Sequence, residues 1–399
     1  MKTLVAIFVV GIVAFSVCAW VFPKVLKFAK KHGIVDNPNA RKLQRVPVPV
    51  MGGVAVYAGL LMATIALISI THNYRIVPII GAMTVMLIIG VWDDMKNLPA
   101  TLRFIIEIAL VWGLMYTTGK YIDSFHGLWG VQKLDVFVSL PLSLLAGVGI
   151  INAVNLIDGV DGYSSSYGIM TNLFFSFIFF SLKYGTMGLL SLACACAIVP
   201  FFFHNVFGKS SKMFFGDGGT LMLGTMMTFF VFCLLSSQTI SGSLANHGIG
   251  IVALALAMLA IPVFDTLRVM SARIVRRKSP FSPDKTHLHH LFIEMGFSHI
   301  GTSFCILMIQ AFIVLAWLVS WLAGASVDVQ LYIVLILGVG VTFVFYRFMK
   351  IQQQGGPKDE DGIPTGSKIW KSMCKLGEKT HFEKGAIWKF LERLVDGKK

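Results

Sequence analysis

Residues 214–236 read FFGDGGTLMLGTMMTFFVFCLLS: two aromatics, one acid among glycines, then an apolar run that stops at Ser236. A helix needs about 20 mainly apolar residues to cross the hydrocarbon core, where every backbone polar group must be bonded internally. The stretch from 218 therefore reads as a membrane span, with Asp217 as a charge at its mouth. Similar runs lie on both sides, near 3–22, 48–71, 76–91, 101–119, 136–152, 163–182, 185–203, 248–270, 302–323 and 329–349. The expected fold is an all-α integral membrane protein of about eleven transmembrane helices.

Composition agrees with that reading. Of 399 residues, 56% are hydrophobic and only 14% charged, against about 25% charged in soluble domains; the mean hydropathy is +0.75. The first run follows Lys2 as a signal peptide would. It has no clean small-residue cleavage site and continues into Lys24, Lys27, Lys30 and Lys31, so it reads as an uncleaved first span. Of the six cysteines, Cys18, Cys194, Cys196, Cys233 and Cys305 lie in apolar runs with no metal or redox spacing, as small buried hydrophobes would.

The net charge of +14 does not point to nucleic acid, because the basic residues crowd into loops and the tail. With the N-terminus outside, one side receives the segments 23–47, 92–100, 153–162, 204–217, 271–301 and everything after 350. These hold Arg41, Lys42, Arg45, Lys96, Lys209, Lys212, Arg273, Arg276, Arg277, Lys278 and Lys285, against Arg75, Lys120, Lys133 and Lys183 opposite. The positive-inside rule makes the first side cytoplasmic. Residues 1–350 read as a polytopic catalytic domain and 351–399 as a basic cytoplasmic tail. In the tail, Trp370, Met373 and Leu376, then Ile387, Trp388, Phe390, Leu391 and Leu394, alternate with Lys and Glu. That pattern fits amphipathic helices lying on the leaflet.

Charges are rare beside apolar segments unless they do work, and four places on this one side carry them. Asp93-Asp94 closes the run that ends at Val91; adjacent carboxylates repel, so both stay ionised only beside a metal or basic groups. Asn152-Ala153-Val154-Asn155-Leu156-Ile157-Asp158-Gly159-Val160-Asp161-Gly162 offers oxygen donors and glycines in a short space. Oxygen donors suit Mg²⁺, which takes one or two carboxylates and leaves room for substrate phosphates. The spacing and missing terminal Glu rule out an EF-hand. Phe214-Phe215-Gly216-Asp217-Gly218-Gly219-Thr220 opens a span with backbone N–H groups that suit phosphate. Finally, Pro283-Asp284-Lys285-Thr286-His287-Leu288-His289-His290 follows a basic run. Three clustered histidines suggest zinc, but with no Cys or second His pair nearby they read better as groups for a sugar or phosphate. Together these describe a Mg²⁺–diphosphate site beside lipid, suited to phosphoryl transfer onto a nucleophile from the bilayer.

In this order, from Asp36-Asn37-Pro38 and Arg41-Lys42 through Pro49-Val50-Met51-Gly52-Gly53 to His290, the segments resemble the polyprenyl-phosphate N-acetylhexosamine-1-phosphate transferase family. The resemblance covers about three quarters of the chain. Its implied reaction is transfer of a sugar 1-phosphate from a UDP-sugar to undecaprenyl phosphate, releasing UMP, with Mg²⁺ as cofactor and Mn²⁺ as its substitute. By the same resemblance, Asp93 activates the lipid phosphate with Asp94 beside it, Arg103 holds that phosphate, and Asp158 joins the catalytic set. Asn155 and Asp217 bind the metal. Asp161 with Arg45, Asn205 and Phe214 meets the uridine. Asp265 and Arg268, at the end of the ninth span, join the substrate-binding residues, while His287, His289 and His290 face the sugar and diphosphate. His-Leu-His-His resembles the WecA-like branch, hence UDP-GlcNAc, more than the MraY-type branch that takes the muramyl-pentapeptide nucleotide. Implied with it are a bacterial inner-membrane location, lipid contact and a homodimer. A cation-coupled transporter would place acids at mid-bilayer within inverted repeats, which the sequence lacks.

Overall fold

The computed structural model describes residues 2–37, 46–238, 248–280, 285–357, 364–382 and 385–397. Most of it is helix. Helices α1 (Lys2–Lys31), α2 (Gly52–Thr71), α3 (Val77–Lys96), α4 (Ala100–Thr118) and α5 (Val136–Leu156) lead to α6 (Tyr163–Ser181), α7 (Gly185–Phe207) and α8 (Gly216–Leu235). Then come α9 (Ile251–Met258), α10 (Ala260–Val275), the short α11 (Leu288–Glu294), α12 (His299–Leu322) and α13 (Val327–Val339). A π-helical turn (Gly340–Phe345) joins α13 to α14 (Tyr346–Gln354), and α15 (Lys368–Glu378) and α16 (Ala386–Asp396) complete the chain.

Among the described residues nine helices are long and apolar enough to cross a bilayer, or ten if α9 and α10 count as one span bent by 74°. The eleven expected from apolar runs are therefore not reached on length and apolarity. The difference lies in α6, a helix of 19 residues at the expected place. Its first half carries Ser164, Ser165, Ser166, Thr171 and Asn172. Of these, Ser164, Ser165, Thr171 and Asn172 are buried; Ser191 of α7 donates to the Asn172 backbone O at 2.6 Å, and the Asn172 side-chain amide donates to Gly168 O at 2.8 Å. Polar contacts between helices hold such a segment where apolarity alone would not.

The helices also outrun the apolar runs. Hydropathy marks where lipid ends, whereas a helix continues into water as long as its backbone bonds do. So α3 extends to Lys96, α5 to Leu156, and α8 begins at Gly216. Asp93, Asp94, Asn155 and Asp217 thus stand on helix ends, not in the loops expected at 92–100, 153–162 and 204–217.

The bundle is arranged around α8, in which every residue except Asp217 is buried. Helices α2, α3, α5, α6 and α9 pack around it. Lipid tails are as apolar as Leu, so packing and close backbone approach must hold such helices together. Glycines supply that approach. A Cβ on Gly90 would lie 2.3 Å from Gly218 N, and one on Gly53 2.3 Å from Gly219 Cα. The start of α8 is also stitched to the start of α2. Phe214 N donates to Pro49 O at 2.8 Å, and Gly52 N and Gly53 N donate to Phe214 O and Phe215 O, both at 2.9 Å. A two-stranded antiparallel ribbon, β1 (Val35–Asp36) with β2 (Val48–Pro49), lies at the same end.

Candidate active site

The acid cluster forms where α3, α4, α5 and α8 end together. At the C-terminus of α3, Asn97 adopts φ 50° and ends the helix, so α4 begins at Ala100 and brings Arg103 back over the last turn. Arg103 Nη1 donates to Asp93 Oδ2 at 2.9 Å, and Leu98 N to Asp93 Oδ1 at 2.7 Å. The same guanidinium lies 3.5 Å from Glu107 Oε1 and 3.9 Å from Asp217 Oδ2. Asp94 points the other way and accepts from the N–H groups of Asp217 (3.1 Å) and Gly218 (3.4 Å). It thereby occupies the N-terminus of α8, where unpaired amides and the helix dipole favour an anion. Gly216 is required there: its φ is +76°, and a Cβ would sit 2.5 Å from Asp94 Oδ2.

From α5, Asn155 Nδ2 donates to Asp217 Oδ1 and to Thr220 Oγ1, both at 2.8 Å. One turn earlier Asn152 donates to Glu107, a carboxylate with no exposure. Three aspartates thus share one guanidinium and one helix terminus. Asp93 is held by Arg103 and Asp94 by the amides, and Asp217 is more exposed than Asp93 to a further partner. Among the described residues no three His, Cys, Asp or Glu side chains form a metal-holding group. Mg²⁺ does not need one when substrate phosphates complete its shell. Asp217 and Asn155 are hard oxygen donors already side by side, and they fit that role once the Asn155 amide turns its oxygen toward the ion, an orientation fixed only by its hydrogen bonds.

The 157–162 turn links this cluster to a second one. Asp158 accepts from Ser164 Oγ at 2.6 Å. Burial pushes its carboxyl up to about 7; the Ser164 bond opposes the rise and the charges of Asp217 and Asp161 add to it. Asp161 behaves oppositely. Burial would raise it, but His299 Nδ1 at 3.0 Å and Lys212 Nζ at 2.7 Å outweigh that and hold it below the ordinary carboxylate value. Asn205 is buried and bridges two backbones: its Oδ1 accepts from Gly162 N at 2.7 Å and its Nδ2 donates to Met213 O at 3.0 Å. In this structure Asn205 shapes the loop. Phe214 is half-buried, with its ring centroid 5.9 Å from Lys212 Nζ.

On α10, Asp265 is the hub of a buried network. Arg268 Nη2 donates to it at 2.6 Å, Leu288 N at 3.1 Å, and His287 Nδ1 lies 2.9 Å away. Arg268 also donates to Thr286 O at 2.5 Å and stacks 3.7 Å from the Tyr346 ring centroid. These bonds orient the start of α11. His289, buried, lies against the 157–162 turn: a Cβ on Gly159 would be 2.2 Å from its Nε2. Burial, then the charges of His290 and His287, lower its pKa well below the ordinary histidine value, so it is neutral. The His289 and His290 ring centroids are 4.3 Å apart, while His287 is turned to Asp265, so the three do not share one centre. Arg45 lies outside the described residues.

Two groups at the site went unread in the sequence. Glu107 carried a usable signal, a lone acid inside the apolar run 101–119, where a charge is functional by default. His299 carried none, since nothing in Phe297-Ser298-His299-Ile300 pairs it with Asp161.

Residues 76–236 match the family model described as glycosyl transferase family 4. A Bacillus subtilis protein named probable undecaprenyl-phosphate N-acetylglucosaminyl 1-phosphate transferase is 27% identical over 377 residues, covering 94% of this chain and 99% of that protein. An Escherichia coli undecaprenyl-phosphate alpha-N-acetylglucosaminyl 1-phosphate transferase is 30% identical over 277 residues, 68% of this chain and 72% of that protein. Its Salmonella typhi counterpart is 28% identical over 308 residues, 76% and 78% of the two chains.

Proposed function

We propose that this chain, which belongs to glycosyl transferase family 4, transfers N-acetylglucosamine 1-phosphate from UDP-GlcNAc to undecaprenyl phosphate and releases UMP. The observation that carries the reading is the gathering of Asp93, Asp94, Asp217 and Asn155 at one bundle end beside an open apolar groove. That groove, about 310 Å³, is lined by Val54 of α2 and by Leu87, Ile88, Val91, Trp92 and Met95 of α3, the helix that bears Asp93 and Asp94. An isoprenoid tail fits there with its phosphate toward the acids.

An oxygen of the lipid phosphate attacks the phosphorus that carries the sugar. The bond from that phosphorus to the bridging oxygen breaks, and the oxygen leaves with UMP. Asp93, held by Arg103 and Leu98 N, takes any proton left on the attacking phosphate. Arg103 neutralises the charge that gathers there. Asp161, with Lys212 and His299, binds at the nucleotide end, and neutral His289 with His290 offers ring nitrogens to the sugar and diphosphate. Asp217 and Asn155 would hold a Mg²⁺, which would supply charge neutralisation for the diphosphate. The basic loops support a cytoplasmic site, on the side where nucleotide sugars are available, and the bacterial relatives support an inner-membrane location.

Asp93→Asn and Asp217→Asn are each expected to abolish UMP release from UDP-GlcNAc and undecaprenyl phosphate in detergent. EDTA should do the same, reversed by Mg²⁺ or Mn²⁺. Undiminished turnover in both variants would sink the assignment, and labelling of the lipid by the muramyl-pentapeptide nucleotide instead would move it to the peptidoglycan branch.

A further inference from the structure

The last helix ends on a carboxylate bound to backbone far upstream. Asp396 Oδ1 accepts from Lys209 N (3.3 Å), Ser211 N (3.1 Å) and the Ser211 hydroxyl (2.7 Å), while Oδ2 accepts from Ser210 N at 2.9 Å. Three successive amides on one anion form a nest of the kind that binds phosphate. Here the anion is the chain's own. From the other side Lys30 of α1 donates to Ser210 O at 2.7 Å, and His204 Nδ1 lies 2.9 Å from Ser211 Oγ. At the start of α16, Trp388 packs 4.7 Å from the Phe207 ring centroid, where α7 ends. The slight burial of Asp396 is outweighed by its bonds to Ser210 and Ser211, which hold its carboxyl down to about 2 and keep the clamp charged at any working pH. The clamped segment leads directly to Lys212, whose Nζ reaches Asp161 at 2.7 Å.

We propose that Asp396 is a positioning residue for the donor site: by fixing residues 209–211 it sets where Lys212 meets Asp161, so the C-terminal helix governs affinity for the nucleotide sugar. The inference rests on the reading of Asp161 and Lys212 as part of that site. A tail that served only to rest on the leaflet would have no need of this bond.

The test uses the full-length chain in detergent, with UDP-GlcNAc titrated at saturating undecaprenyl phosphate. Asp396→Ala is expected to raise KM for UDP-GlcNAc about tenfold with kcat within about twofold, as loss of a charged hydrogen-bond acceptor implies. KM for undecaprenyl phosphate should stay put. Asp396→Asn, which keeps one acceptor, should fall between, and amide exchange at 209–211 should quicken in Asp396→Ala. Should that variant fail to purify, Ser211→Ala is expected to raise the donor KM about threefold, as loss of one neutral hydrogen bond implies. An unmoved donor KM in an active Asp396→Ala or Ser211→Ala protein overturns the proposal alone. Wild-type protein that releases no UMP from UDP-GlcNAc overturns the donor reading and the proposal with it.

Discussion

Gly90→Ala tests whether the active acids are placed by backbone contact between α3 and α8. The added Cβ would lie 2.3 Å from Gly218 N, 2.4 Å from Gly218 Cα and 2.5 Å from the carbonyl carbon of Asp217. Ordinary carbon contacts need about 3.5–4.0 Å, so the helices must part by about 1 Å. All three obstacles are backbone atoms, so no side-chain rotation relieves them. Overpacking of this kind costs about 1–3 kcal/mol, against which Ala regains about 1 kcal/mol over Gly in a helix. The fold should therefore survive with a modest loss of stability. Chemistry should suffer more, because Gly218 N bonds Asp94 and Asp217 is its neighbour; misplacement by about 1 Å can cost about 100-fold in rate. The assay is UMP release under single turnover, paired with thermal unfolding in detergent. Gly81→Ala is the control, on the same helix with nothing within 4 Å of its added Cβ. Turnover of Gly90→Ala close to wild type, or an equal loss in Gly81→Ala, would refute the reasoning.

Two further outcomes follow from the second acid cluster. Lys212→Gln and Asp161→Asn should each raise KM for the donor, and the double variant should be little worse than either, with a coupling of about 1 kcal/mol in a double-mutant cycle; additive effects would show that the pair does not act as one unit. Asp158, raised from 3.8 to about 7, binds its proton more tightly folded than unfolded, so its stabilising contribution is full below about pH 3.8 and is lost as pH rises through about 7. Asp158→Asn should remove that slope from a plot of unfolding temperature against pH, and an unchanged slope would contradict the burial argument.

Much of the fold was legible because lipid imposes a simple rule on sequence, and the run after Asp217 obeys it. The ends of the spans were not, since helical backbone continues past the point where apolar side chains stop. That is why Asp93 and Asn155 read as loop residues although both stand on helix ends. The candidate residues were legible as four separate clusters of unusual chemistry. Their convergence was not: Asp94 meets Asp217 across 123 positions, and Asn155 meets it across 62. The close glycine contacts of α8 help bring them together, and a glycine gives no sign in sequence of what it faces. Asn205 shows the converse case, a polar residue at the expected place whose side chain is taken up by backbone.

The burial of α8 has a consequence for how the protein senses its surroundings. A span that faces lipid adjusts to the thickness of the bilayer by tilting or by deforming its neighbours. Helix α8 touches protein on every side, and Asp217 is its one residue that is not buried. Changes in bilayer thickness, whether from temperature or acyl-chain length, reach it only through the helices that surround it. The carboxylate at its tip is thereby insulated from the membrane in which it works.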